Sequence, residues 1–163
     1  MSEKESPARE RLHIHLNDHL AGSVAAIELL DNLIEQHPAD RFEEVLHGVR
    51  DDVHHDQETL RDLIRKVGAE ESGIRKAGAW LAEKLSRVKI GHADDTAELL
   101  QALEGLALGI TGKELLWRSL NEIAANFPGL QGTDFCNLEK RAQDQLERVE
   151  TLRMQTVREA FRT

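Results

Sequence analysis

The densest group of potential metal ligands lies in the stretch DDVHHDQETL, residues 51–60. Imidazole nitrogens and carboxylate oxygens are donors that suit Zn, Mn or Fe. A metal ion needs its donors on one face, and in a helix only residues three or four positions apart lie side by side. The helical phase of this stretch turns Asp51, His54 and His55 toward solvent. Only Asp52 and Asp56 are expected to face inward, so most of the cluster is predicted to be a hydrated helix face.

The elements that would position these side chains follow from the hydrophobic pattern. Apolar residues recur at steps of three and four, which predicts long amphipathic helices. We place them at about 8–37, 40–67, 94–126 and 134–161, with a shorter helix at about 72–89. Short loops make the first two long helices one antiparallel hairpin and the last two another.

The connection between the two hairpins decides the topology. It spans about 25 residues and contains the predicted short helix, so it is long enough to cross the length of a bundle. We therefore predict an all-α, four-helix bundle with one long crossover, as a single domain over residues 1–163 whose residues 1–7 are flexible. An up-down-up-down bundle with the short helix as a lid is the alternative.

The composition agrees with a helical protein and argues against some classes of binding partner. Aromatic residues make up only 4% of the chain, which is typical of a bundle rather than a sheet. A net charge of −9 argues against nucleic acid or an anionic membrane surface as a partner. The sequence shows no membrane span and no secretion signal, and its single cysteine cannot form an internal disulfide. A cytoplasmic location is expected.

A faint internal repeat points to a family. LAGSVAAIELL (20–30) and LALGITGKELL (106–116) align without gaps. Two helical hairpins, a long crossover and this repeat resemble the ferritin-like superfamily. The stretches LNDHLAGSVAAIELL, KAGAWLAEKLSRVKI and LALGITGKELLWRSL look like a group of bacterial ferritin-like proteins with no assigned function. The resemblance implies a fold and carries no activity.

The di-iron members of that superfamily use a recognisable ligand set. They place one Glu on each of two helices and a Glu-x-x-His motif on each of the other two. Glu28 and Glu114 can take the first two places. The remaining helices offer only Asp52-x-x-His55 and Asp144-x-x-Glu147. The last helix has no histidine, several of these residues are expected to point outward, and the complete site is absent.

A different set of polar residues lies on or beside the apolar stripes, near the helix midpoints: His19, Ser23, Asp52, Asp56, Lys113, Glu114 and Gln145. Buried charges need partners, so one interpretation is an ionic layer centred on Lys113. In the other, His19, Asp52, Asp56 and Glu114 bind one metal ion. We favour the ionic layer, because the Lys113 ammonium supplies the positive charge that a metal would bring and repels a metal.

Two further features suggest binding surfaces. Gly105, Gly109 and Gly112 lower helix stability, and we expect them to allow close helix packing; a small-molecule cavity bordered by these glycines and Trp117 is the alternative. The predicted short helix carries a basic strip that could contact an acidic partner or its own bundle: Arg75, Lys76, Lys84, Arg87 and Lys89.

Together these patterns predict a cytoplasmic, ferritin-like binding or interaction module without di-iron catalysis and without a resident cofactor. The alternative is a metalloprotein with an atypical carboxylate and histidine centre that holds Fe, Mn or Zn. A homodimer and an unidentified protein partner are both compatible with the sequence, which leaves open whether the chain has any enzymatic activity.

Overall fold

Four α-helices account for most of the chain in the computed structural model, which describes residues 6–36, 42–72 and 95–162. They are α1 (Pro7–Gln36), α2 (Glu43–Lys66), α3 (Asp95–Ile123) and α4 (Phe135–Ala160). Two single-turn 3-10 helices, Ala124–Asn126 and Pro128–Leu130, join α3 to α4. The described residues contain no β-strand. The predicted all-α bundle is confirmed, with each helix end within about three residues of its predicted position.

Two of the sequence predictions concern residues outside this description. The predicted short helix at 72–89 and its basic strip lie outside the described residues, except for residue 72. Of the segment 1–7, only its last two residues are described: Ser6 accepts a hydrogen bond from the Arg9 N–H (3.3 Å) and Pro7 is the first residue of α1. Proline suits this position because a helix leaves the first N–H groups without partners.

Local signals fix the helix ends. Gly68 has φ +77°, a conformation that glycine adopts without strain, and its N–H donates to the Arg65 carbonyl at 3.0 Å. This ends α2 where the sequence places its end. At the start of α4, the Asp134 carboxylate accepts a hydrogen bond from the Asn137 N–H at 3.0 Å. An N-cap of this kind stabilises a helix by about 1 kcal/mol.

The directions of the helices follow from the contacts between them. Asp56 on α2 contacts Arg141 on α4, and Asp52, one turn earlier, contacts Arg148 further along α4. These two helices are therefore antiparallel. Ion pairs of Arg118 with Glu139 and of Glu104 with Arg153 make α3 and α4 antiparallel as well.

It follows that α2 and α3 run parallel to each other. The end of α2 and the start of α3 lie at opposite ends of the bundle, as the predicted long crossover requires and as an up-down-up-down bundle does not allow. In cross-section, α1 packs on α2 and α3, and α4 packs on the same two helices. No described helix combines the length and the apolarity that crossing a bilayer requires.

The core fills the space between the four helices with aliphatic side chains. Leu16 and Leu20 of α1, Val49 of α2, Leu103 of α3 and Val149 of α4 are fully buried. Burial of such side chains stabilises the fold by roughly 1.5–3 kcal/mol each. Among the described residues, the largest fully buried side chain is that of Trp117, whose ring stacks on Phe135 with centroids 6.4 Å apart.

The turn between α3 and α4 is pressed against the end of α2. A Cβ atom built on Gly129 would lie 2.4 Å from the Lys66 carbonyl oxygen and 2.8 Å from the Val67 nitrogen. Both contacts are with backbone, which cannot move aside as a flexible side chain would. Only glycine fits at this position without displacing the turn.

We expect Gly129→Ala to lower the free energy of unfolding by about 1–3 kcal/mol, the usual range for overpacking. The matched control is Gly105→Ala, because a Cβ there would meet nothing within 4 Å. Alanine is the better helix former, so the control should gain up to about 1 kcal/mol. Urea unfolding followed by circular dichroism measures both. An unchanged midpoint for Gly129→Ala would mean that the turn does not lie against α2 in solution.

Candidate functional site

A buried carboxylate on α2 is the centre of a polar network at the middle of the bundle. The Asp56 side chain is 1% exposed. Its Oδ2 atom accepts hydrogen bonds from Lys113 Nζ at 2.7 Å and from Gln145 Nε2 at 2.9 Å. Lys113 also donates to Oε1 of Gln145, which closes a triangle. The three residues belong to α2, α3 and α4, so one network links three helices.

A second cation, which the sequence pattern had not indicated, reaches the same carboxylate. Arg141 Nη2 lies 3.0 Å from Asp56 Oδ1. This contact lacks hydrogen-bond geometry, so Oδ1 is buried without a hydrogen bond. The signal that could have found Arg141 is its position four residues before Gln145, which places both on one face of α4.

The charges in this network do not cancel. One carboxylate, that of Asp56, stands between the two cations Lys113 and Arg141, which leaves one net positive charge. Burial lowers the pKa of the Lys113 ammonium below its usual range, and the Asp56 carboxylate opposes that shift. The Asp56 carboxylate therefore offsets part of the cost of removing the Lys113 ammonium from water.

The other two carboxylates of the predicted layer have partners of their own. Asp52 pairs with Arg148, and its side chain is 40% exposed. Glu114 accepts hydrogen bonds from Arg118 Nη2 at 2.8 Å and from Gln143 Nε2 at 3.0 Å. Neither carboxylate is hydrogen-bonded to Lys113, although the charge of Asp52 still acts on the lysine.

The predicted metal ligands do not form a common donor set. Over residues 6–36, 42–72 and 95–162, no three His, Cys, Asp or Glu side chains are grouped as a metal would require. For the set His19, Asp52, Asp56 and Glu114, metal binding stays a hypothesis, and each carboxylate would have to leave a cationic partner. The remaining di-iron candidates are all exposed: Glu28, His55, Asp144 and Glu147.

The network borders a cavity of about 300 Å³ between α1, α2 and α3. Most of its wall is apolar and includes Trp117. The polar side chains on the wall come from all three helices: Asp18, His19 and Ser23 of α1, Asp56 and Gln57 of α2, and Lys113 of α3. The middle of the bundle therefore contains a space that is lined mostly by apolar side chains and is bordered on one side by the charged pair Asp56 and Lys113.

Glycines open this cavity. Gly22, Gly109 and Gly112 all lie on its wall, and no atom of the described residues would come within 4 Å of a Cβ at any of them. The same holds for Gly105, which does not border the cavity. The expectation that the glycines of α3 serve close helix packing is therefore wrong. At Gly109 and Gly112, the missing side chains leave room for something else.

Several polar groups of the cavity are already satisfied within the chain. Gln57 Nε2 donates to Ser23 Oγ at 3.0 Å, and Ser23 Oγ donates to the Leu20 carbonyl at 2.6 Å. The His19 ring makes an edge-on contact with His15, with centroids 4.8 Å apart. Burial and, to a smaller extent, His15 lower the pKa of His19, while Asp18 opposes that shift.

Trp117 also lies on the wall, and it differs from Gln57 and Ser23 in lacking a hydrogen bond. Its Nε1 atom is buried and has no hydrogen-bond partner among the described residues. A buried donor left unpaired costs about 1–3 kcal/mol. The sequence offered Trp117 only as a possible border of a cavity, since its apolar stripe position gives no sign that the indole N–H lacks an acceptor.

Comparison of the chain with protein-family models, with curated proteins and with solved structures gives no match.

We expect Asp56→Asn to lower the free energy of unfolding by about 3–5 kcal/mol, because it leaves the Lys113 ammonium buried without its carboxylate. The matched control Asp52→Asn removes a half-exposed carboxylate and should cost less than about 1 kcal/mol. Urea unfolding at pH 7 measures both. Combining Asp56→Asn with Lys113→Met should cost clearly less than the sum of the single changes. Simple additivity would contradict a direct interaction between the two side chains.

Proposed function

We propose that this chain is a ferritin-like, cytoplasmic binding module that holds a small molecule in the cavity at the middle of its bundle and performs no di-iron chemistry. The observation that carries the proposal is the cavity itself, a largely apolar space of about 300 Å³ whose few polar groups, among them His19 and Lys113, come from three helices. Ligand sites in proteins are typically concave and mostly apolar, with a small number of placed polar groups.

The size of the cavity supports the same conclusion. Its volume of about 300 Å³ is at the lower limit of typical ligand pockets, roughly 300–1,000 Å³. It is about twice the engineered cavity of ~150 Å³ that binds benzene in another protein. A molecule of one or two rings, or a chain of similar volume, has room here.

The ferritin-like part of the proposal rests on topology. Two antiparallel hairpins whose inner helices, α2 and α3, run parallel are what one long crossover produces. In the di-iron proteins of that fold, inward-facing carboxylates neutralise two metal ions at the middle of the bundle. Here Lys113 Nζ lies 2.7 Å from the inward-facing Asp56 carboxylate, which favours an internal cation over a bound metal.

Binding to the cavity can be tested without assuming what the natural ligand is. The neutral fluorescent probe 6-propionyl-2-dimethylaminonaphthalene, which has two fused rings, should bind the wild-type protein saturably, with a blue-shifted emission. We expect Gly112→Leu to abolish this binding, because the new side chain enters the cavity. Gly105→Leu is the matched control: it makes the same change on the same helix, away from the cavity.

Both glycine variants should remain folded, since leucine is a better helix former than glycine. Equal probe binding by wild type and Gly112→Leu would place the probe elsewhere and remove the support for this cavity. Absence of probe binding by the wild-type protein would contradict the proposed function itself.

The metal-free part of the proposal has its own measurement. Protein purified without a histidine tag is incubated with Fe(II), Mn(II) or Zn(II), desalted and analysed by elemental mass spectrometry. We expect retention far below one metal ion per chain, because the candidate carboxylates are already paired with Lys113, Arg148 and Arg118. Near-stoichiometric metal that is lost in Asp56→Asn would favour the metalloprotein alternative instead.

A further inference from the structure

The imidazole of His19, on the wall of the cavity, is available for a hydrogen bond to a ligand. Its ring lies edge-on to that of His15, and within the described residues neither of its nitrogens is hydrogen-bonded. Unlike Nε1 of Trp117, these nitrogens are not buried, so a molecule in the cavity can reach the imidazole. Gly22 lies three residues further along the same face of α1, and its missing side chain leaves the space beside the ring open.

The chemistry of the imidazole determines which group it can bind. A neutral imidazole has one N–H donor and one nitrogen acceptor, and burial of His19 favours this neutral form by lowering its pKa. A hydroxyl group both donates and accepts. It can therefore pair with whichever nitrogen of His19 faces the cavity, in either tautomer.

The charged side chains at the cavity already have partners of opposite charge. Asp56 on the wall contacts Lys113 at 2.7 Å and Arg141 at 3.0 Å. Asp52, whose charge also acts on Lys113, is paired with Arg148. A charged ligand would lose its hydration without finding a buried counter-ion that lacks a partner. The arrangement therefore favours an uncharged ligand.

The rest of the wall determines the body of the ligand. Val53, Leu60, Ile110 and Leu116 line the cavity with buried aliphatic side chains. Asp18 also lines it, but this residue is exposed and keeps its contact with water. A ligand with many polar groups would lose their hydration against this wall, so one polar group on an apolar body fits best.

We propose that the cavity binds an uncharged, largely apolar alcohol, whose hydroxyl group forms a hydrogen bond with the His19 imidazole while its hydrocarbon body fills the space between α1, α2 and α3. This inference rests on the proposed function and names the chemical class of its ligand. A neutral hydrogen bond of this kind changes an affinity by roughly two- to tenfold.

Probes that share two fused rings and differ in one substituent test the class: 2-naphthol, 2-methylnaphthalene, 2-naphthoate and (2-naphthyl)methylammonium. Each is added at pH 7 to the full-length protein with 6-propionyl-2-dimethylaminonaphthalene bound, and loss of the blue-shifted emission measures displacement. We expect 2-naphthol to bind about tenfold or more tightly than either ion, because the ions lose more hydration. An ion that binds as tightly as 2-naphthol would overturn the assignment of an uncharged ligand.

Variants of His19 then test the hydrogen bond. His19→Leu should weaken 2-naphthol roughly two- to tenfold and leave 2-methylnaphthalene unchanged, since a methyl group makes no hydrogen bond. His19→Gln keeps a donor and an acceptor, and it should bind 2-naphthol more tightly than His19→Leu does. His55→Leu is the matched control, because His55 is exposed and is not on the wall. Both affinities should equal those of the wild-type protein in this control.

The results separate failure of this inference from failure of the proposed function. If His19→Leu weakens both naphthalenes equally, or weakens neither, the imidazole does not bind the hydroxyl group and the inference is wrong. Displacement of the fluorescent probe by an ion as readily as by 2-naphthol would leave the cavity as a binding site and overturn its ligand class. Absence of fluorescent-probe binding by the wild-type protein would overturn both.

Discussion

The ion pair between Lys113 and Asp56 is the interaction on which the middle of this bundle depends. Removing either charge from water costs several kcal/mol, and the cost is offset only because each group finds its partners at short range. Gln145 joins both of them through an amide that donates to one and accepts from the other. Because the three residues come from α2, α3 and α4, the network fixes the rotation and the register of these helices relative to one another.

That constraint also determines what else the site can do. The Lys113 ammonium donates hydrogen bonds to Asp56 and Gln145. It thereby engages the inward-facing carboxylate that a metal ion at the middle of the bundle would need as a ligand. Asp52 and Glu114 are paired with arginines nearer the surface. The ferritin-like metal chemistry and this ionic network thus require the same carboxylate in two incompatible roles. In a chain that uses this carboxylate in the ionic network, the interior of the bundle does not have to accommodate a metal centre.

Much of the architecture could be read from the sequence, because the three- and four-residue spacing of apolar side chains reports directly which face of each helix is buried. The same spacing marked Asp56, Lys113 and Gln145 as polar residues on buried faces, and the structure brings the three together. Spacing gives the direction of a Cα–Cβ bond and not the reach of a side chain. Arg141 was missed for that reason: a long side chain carries its charge a full turn along the helix.

The glycines show a second limit of the sequence. A glycine within a helix looks the same in the sequence whether a neighbouring helix packs closely against it or the space beside it is empty. At Gly109 and Gly112 it is empty space, which no periodicity could have distinguished from close packing. The unpaired N–H of Trp117 is hidden in the same way, since its stripe position records burial and says nothing about an acceptor.

The energetic costs at the cavity point in one direction. Each glycine within α3 costs about 1 kcal/mol relative to alanine, and the unpaired indole N–H adds about 1–3 kcal/mol. These costs are a substantial fraction of the 5–15 kcal/mol that keeps a typical domain folded. Among the described residues, neither of the two α3 glycines beside the cavity, Gly109 and Gly112, gains a packing contact in return. A bound molecule that fills the space would recover part of this free energy, because a ligand that binds only the folded state stabilises it.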